Sequence, residues 1–288
     1  MRDIKLDNLK GILIVLVVFA HMLITYKYIE ISEYNMIVKS IYFFHMPLFF
    51  LIAGELSKKV SLKRIKNYLI LFLFMQASFM LYDYFIYGSF AFFSILYSSW
   101  FLLLLVLYRL IIYNKTIKKL FNFKYSMLIT YIFVIIIGFL PLNLTVSRIF
   151  YFFIFFIIGY KCNIKFTRNK SLIMLPFIVL GILVISSITR LDLLMGDNYI
   201  HFGELFIRII VIYIDILLYY SVKNIIVDKK IPFITQAGVS SLYIYVLHRI
   251  PTLLLSDFLY IYRGYIFISL FSLYLDINVI LKLQRINH

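Results

Sequence analysis

Lys10 and His21, eleven residues apart in an apolar run, are the first pair in this sequence whose types and spacing can do chemistry. Eleven helical residues return to within about 20° of the same face and rise about 16 Å. That spacing puts a cation at the mouth of a span and an imidazole on the same face, somewhat past the bilayer centre. An imidazole ionises near neutral pH, so His21 there can take or deliver a proton. The competing role is a histidine that only bridges helices by a hydrogen bond. Asp3, Asp7 and Lys10 follow i, i+4, i+7 spacing and would stack on that face if the helix starts early.

An ionisable side chain in hydrocarbon is costly, so each one is a functional candidate by default. His45 enters the second apolar run from its opposite end and should reach a depth close to that of His21. Two imidazoles at one depth can line one cavity. Alternatively, His45 bonds a backbone carbonyl freed by Pro47, which has no N–H to donate. His248 lies mid-run beside Arg249. Arg208 and Asp215 are seven residues apart, on one helix face, either as a structural pair or as substrate ligands.

The elements that position these residues are membrane helices. The chain has 288 residues, 64% of them hydrophobic and only 15% charged, with mean hydropathy +0.97. A soluble domain carries roughly a quarter charged residues, so this chain lacks the polar surface to cover a water-soluble globule. Apolar runs recur throughout, which one signal peptide or one anchor does not explain. Windows of about 20 apolar residues fall at 11–28, 36–56, 68–86, 91–113, 125–142, 146–162, 171–189, 203–222, 239–257 and 264–281. The expected fold is an all-α, polytopic transmembrane bundle of about ten spans. It forms one domain, residues 1–288, in the cell membrane.

Charge orients that bundle. Arg2, Lys5 and Lys10 precede the first window; Lys58, Lys59, Lys63, Arg64 and Lys66 follow the second. Further groups are Arg109, Lys115, Lys118, Lys119 and Lys124, then Lys161, Lys165, Arg168 and Lys170. Lys223, Lys229, Lys230, Lys282 and Arg285 complete 22 of the 29 basic residues, all on alternate sides. By the positive-inside rule both termini are expected in the cytoplasm.

Other classes drop out. Cys162 is the single cysteine, so no intramolecular disulfide and no cysteine-based metal cluster can form. The five histidines lack the close spacing of a zinc site. The net charge of +16 sits in loops that face anionic membrane lipid, and no basic domain lies outside the apolar runs to bind nucleic acid. No phosphate-binding glycine loop or serine elbow appears.

At these residues the sequence resembles the integral-membrane acyltransferase-3 family, nearest its fucose 4-O-acetylase-like branch. The opening RDIKLDNLKGILIVLVVFAH (2–21) matches a signature of a basic residue, ten residues and a histidine, filled here by Lys10 and His21. FHMPLFFLIAGE (44–55) is similar to the second-span pattern, with Ala53 where a serine usually precedes the glycine. WFL (100–102) carries the single Trp100. SRIFYFFIFFIIGY (147–160), with Arg148, and GVSSLYIYVLH (238–248), ending in His248, resemble later segments. The chain departs at 64–67, where an Arg-x-x-Arg pair reads Arg64-Ile-Lys-Asn67, and at Leu71, where a proline is usual.

The resemblance implies O-acetyl transfer from acetyl-CoA to a hydroxyl of a cell-envelope or exported carbohydrate, on a lipid-linked sugar or another exported acceptor. His21 would be the general base or a transient acyl carrier. Asp7, Lys10, His45, Lys63, Arg64, Lys66, Trp100, Arg148 and His248 would bind substrates, with no metal. A lysine does not replace a guanidinium fork one for one, so the 63–66 cluster offers charge without the usual geometry. The alternative is a transporter or flippase for a lipid-linked sugar, its buried His, Arg and Asp serving as a relay. No inverted repeat is visible, and the Lys10–His21 and FHMP segments favour the enzyme.

Overall fold

The computed structural model describes residues 3–25, 32–89, 95–121, 123–162 and 164–253, and every regular element among them is helical. The order is α1 (Ile4–Thr25), α2 (Ser32–Leu56), a 3₁₀ turn (Ser57–Lys59), α3 (Leu62–Tyr87), α4 (Trp100–Tyr113), α5 (Lys115–Phe121) and α6 (Ser126–Ile137). Then come α7 (Leu144–Tyr151), α8 (Phe153–Lys161), α9 (Arg168–Ile188), α10 (Leu191–Leu194), α11 (Gly203–Ile225), α12 (Pro232–Val239) and α13 (Ser241–Leu247).

Six helical runs among the described residues are long and apolar enough to cross a membrane: 4–24, 36–59, 62–87, 144–161, 168–188 and 203–225. This is an integral membrane protein. A lipid bilayer offers no water to backbone amides, so helices that satisfy them internally are the natural solution. Pro47 in α2 and Pro176 in α9 are carried inside spans.

Three windows read from sequence are shorter or broken in the structure. The one at 91–113 becomes α4, starting at Trp100, because residues 95–99 turn and bind α3 instead. Gln76 Oε1 accepts the Leu96 N–H (3.2 Å) and the Ser99 hydroxyl (2.8 Å). The one at 125–142 ends at Ile137, ahead of a Gly138–Pro141 turn, and its 12 residues reach only about 18 Å. The one at 239–257 begins at the Ser240 break that ends α12 and is itself interrupted at His248, where α13 stops; its residues 254–257 lie outside the described residues. The window at 264–281 lies outside the described residues.

α2 is the central post, and it meets α8 through glycines. A Cβ on Gly54 would strike the Phe156 carbonyl, and one on Gly159 the Leu51 carbonyl. Small residues of this kind let two backbones touch where water provides no driving force between helices. α1 and α12 use the same device at Gly11 and Gly238. There Asn8 donates to the Val227 and Lys229 carbonyls (3.1 and 2.9 Å) and accepts from the Thr235 hydroxyl (2.5 Å). α3 stands at the periphery, with Leu73, Phe74 and Phe85 exposed as lipid-facing residues require.

Candidate active site

His21 lies one turn from the end of α1, and its ring Nδ1 is 2.7 Å from Nε2 of His248. The two ring planes are 6° apart with centroids at 5.0 Å. That separation is one such bond plus two ring radii. The nitrogens therefore sit on the line between the rings, and the bond is edge to edge rather than face to face.

The tautomers follow from what surrounds His248. Its Nδ1 lies 2.9 Å from the Tyr245 carbonyl and 3.1 Å from the Ile244 carbonyl, near the C-terminal end of α13. Carbonyls only accept, so Nδ1 carries the proton and Nε2 carries the lone pair. His21 Nδ1–H must then donate to it, which leaves the lone pair of His21 on Nε2. This is the logic by which a fixed partner selects the basic nitrogen of a histidine.

A cavity of about 270 Å³ opens beside His21. His45, Trp100 and Arg148 line it too, joined by Tyr42, Tyr97, Tyr245 and Arg249. His45 Nδ1 donates to the Ile41 carbonyl (2.7 Å), one turn back in its own helix. That is not the carbonyl Pro47 frees, and the bond does not keep His45 from the cavity: it leaves Nε2 as the acceptor. Tyr42 stands edge-on to the His45 ring at 4.8 Å. The Tyr245 hydroxyl donates to the Ser98 carbonyl (2.5 Å).

The cavity roof is the segment around α10, held by arginines. Arg148 Nε donates to the Met195 carbonyl (3.1 Å), and Arg208 donates to the Asp197 carbonyl. Arg190 reaches Glu204 (2.7 Å), Asp197 (3.2 Å) and the Asn198 carbonyl. Burial works against the Arg190 charge, but the bonds to Glu204 and then Asp197 outweigh it and hold the guanidinium above its ordinary value.

The remaining residues read from sequence are elsewhere. Lys10 is paired with Asp7 at 2.7 Å. Asp3 caps α1 by accepting the Leu6 N–H (3.0 Å). Lys63, Arg64 and Lys66 are exposed on the first turns of α3. All lie toward the basic ends of their helices, whereas the cavity is lined by Ile24, Tyr97, Ser98, Leu191, Leu194 and Met195 from the opposite ends. Arg208 and Asp215 do not pair with each other. Asp215 is fully buried, and neither carboxylate oxygen has a hydrogen-bond partner among the described residues.

The family model described as an acyltransferase domain matches residues 3–280. The chain belongs to the acyltransferase-3 family. A 64-residue stretch is 44% identical to the nodulation protein NolL of Sinorhizobium fredii, covering 22% of this chain and 18% of that protein. The NolL protein of Mesorhizobium japonicum is 43% identical over 65 residues, covering 22% and 17%. The chain thus matches less than a fifth of the length of these relatives. No solved structure matches the chain.

In this acyltransferase-3 chain, sequence reasoning missed Tyr42, Tyr97 and Tyr245 as cavity walls, along with the Met195 carbonyl. Tyrosine is so frequent here, 25 in all, that no single one stands out. Arg249 carried a signal, its place beside His248 before Pro251. Gln76 and Asp83, seven apart on α3, were also legible as polar residues on one face of an apolar helix.

Proposed function

We propose that this protein is a membrane O-acyltransferase that moves an acetyl group from acetyl-CoA to a hydroxyl of a cell-envelope or exported carbohydrate. The observation that carries this reading is the His21–His248 bond beside a walled cavity, in a chain matched by an acyltransferase model from 3 to 280. A sugar hydroxyl is a poor nucleophile and needs a base as it attacks a thioester. His21 Nε2 is that base. It takes the hydroxyl proton as the oxygen attacks, and passes it to the departing thiolate when the C–S bond breaks. His248 keeps the lone pair on the reacting nitrogen.

The cavity supports a carbohydrate acceptor. Trp100, Tyr42, Tyr97 and Tyr245 offer flat apolar faces with polar rims, and His45 Nε2 can accept from a second hydroxyl. Its position supports a two-sided arrangement. With both termini cytoplasmic, the basic residues Lys10, Lys63, Arg64 and Lys66 face the anionic coenzyme A inside the cell, and the cavity faces outward. The acyl group and its thin arm would then cross the bilayer centre, while the coenzyme head stays with the lysines.

The test is thiol release and acetyl-sugar formation from acetyl-CoA by the purified protein in lipid nanodiscs, beside His21→Ala. Wild type should turn over, and His21→Ala should lose at least about 10²-fold in kcat at an unchanged membrane level. Turnover by His21→Ala within about tenfold of wild type, about 1.4 kcal/mol, removes His21 from the chemistry.

A further inference from the structure

The reaction proposed above creates a charge that His21 cannot answer. When a hydroxyl oxygen attacks a thioester, the carbonyl π pair moves onto oxygen and an anion forms inside the cavity. Among the described residues no aspartate or glutamate lines that cavity, while Arg148 and Arg249 do.

Arg148 is fixed by its surroundings before any substrate arrives. Its Nε is used on the Met195 carbonyl, and its guanidinium lies over the Trp100 ring at 4.7 Å. The neighbouring Ser147 hydroxyl donates to the Gly196 carbonyl (2.6 Å), which ties α7 to the same segment. The Tyr108 hydroxyl donates to the carbonyl of Ile149 (2.6 Å), the next residue of that helix. Arg148 is only 6% exposed, yet its Nη1 and Nη2 make no hydrogen bond among the described residues, and neither is sealed away from the cavity. A buried cation with its strongest donors unused is costly, and the Trp100 face offsets part of that cost. Donors held still in a dry site are the arrangement that stabilises developing negative charge, because nothing must reorganise when the charge appears.

We propose that Arg148 binds the oxyanion formed at the acyl carbonyl during transfer, which makes it a catalytic residue of this site. The proposal rests on the acyl-transfer reading. The hydroxyl O–C bond forms while His21 Nε2 takes the hydroxyl proton, and the carbonyl oxygen takes the π pair against Arg148. The carbonyl then re-forms, the C–S bond breaks, and the thiolate leaves with the proton from His21. The same two NH2 groups would suit a carboxylate or phosphate on the acceptor, so the acceptor used in the test has to be neutral.

The experiment measures thiol release from acetyl-CoA in nanodiscs, with a panel of neutral methyl glycosides as acceptors. Wild type, Arg148→Gln and Arg148→Lys are compared, with thermal midpoints recorded for each. Arg148→Gln should lose about 10²- to 10³-fold in kcat with KM values within about threefold. Arg148→Lys should recover part of that loss, because it restores charge without the fork. If Arg148→Gln does not fold, Arg148→Lys decides, and it must still fall at least about tenfold in kcat. A folded variant within threefold of wild type overturns the proposal. So does turnover confined to acceptors bearing a carboxylate or phosphate, with Arg148→Gln raising their KM about tenfold at unchanged kcat. Wild type that releases no thiol with any acceptor, neutral or anionic, instead brings down the acyl-transfer reading and this proposal with it.

Discussion

Arg148 and Arg208 sit in different spans and share one construction. Each is almost fully buried. Each donates to a carbonyl of the segment that follows α10, Met195 for one and Asp197 for the other. Each lies over aromatic rings, Trp100 at 4.7 Å for Arg148, Tyr199 at 4.4 Å and Tyr151 at 4.8 Å for Arg208. They differ in what lies on the free side. Arg148 lines the cavity beside His21, whereas Nε and Nη1 of Arg208 are sealed from solvent. One guanidinium is therefore open to the cavity and the other is enclosed by the fold. A buried arginine in a span is a functional candidate by cost alone, and the space next to it separates the two uses.

The largest effect is expected at His248, the residue behind the cavity. It touches no space of its own, and its effect should pass through His21. His248→Ala removes the acceptor of the His21 Nδ1–H and releases the tautomer. We expect a loss of about 10²-fold or more in kcat with little change in KM. The pH profile of kcat should change shape as well, because the two nitrogens of His21 then share the proton. A folded His248→Ala variant with kcat within threefold of wild type would show that the bond is structural.

On the sealed side the expectation reverses. Arg208→Met keeps much of the volume and removes a cation held by two rings and one hydrogen bond. Stability should fall by about 1–3 kcal/mol, read as a lower thermal midpoint. The fraction still folded should keep kcat within about threefold. An unchanged midpoint with a hundredfold loss of turnover would erase the distinction between the two arginines.

How much of this was legible in sequence divides along the same line. The apolar runs and the Lys10–His21 spacing depend on local periodicity, and most of the helices fall where that periodicity puts them. The breaks at 95–99 and at His248 did not show, because Gln76 captures the first from another helix and hydropathy alone does not register the second. Candidate residues in spans were visible through their cost. His21, His45, Trp100, Arg148 and His248 do gather at one end. Their partners are backbone carbonyls, at Ile41, Tyr245 and Met195, and no residue type announces a carbonyl. Of the two uses open for Arg208 and Asp215, the direct pair is the one the structure lacks, for that reason: the Asp197 carbonyl took the arginine.

The smallest effect should come from the wall that faces Arg249, and it tests whether the cavity's shape matters apart from its charges. Tyr97 has φ 46°, a left-handed conformation that side chains other than glycine seldom adopt. Such a residue persists where its surroundings over-determine it. Here the fixings are visible. The Tyr97 hydroxyl donates to Asp83 (2.7 Å), Gln76 holds the residues on either side, and the Arg249 guanidinium lies 5.7 Å from the ring centroid. Tyr97→Phe keeps the ring and its strain while removing the hydroxyl, so the ring is no longer anchored to α3. Asp83→Asn keeps an acceptor oxygen in place. We therefore expect Tyr97→Phe to raise the acceptor KM about three- to tenfold at a kcat within about twofold, and Asp83→Asn to change both by less than about twofold. These figures follow from losing one hydrogen bond of about 1 kcal/mol at a substrate wall rather than at the reacting atoms. If Tyr97→Phe instead lowers kcat a hundredfold with KM unchanged, the hydroxyl acts in the transition state, and the wall belongs with Arg148 rather than with the frame.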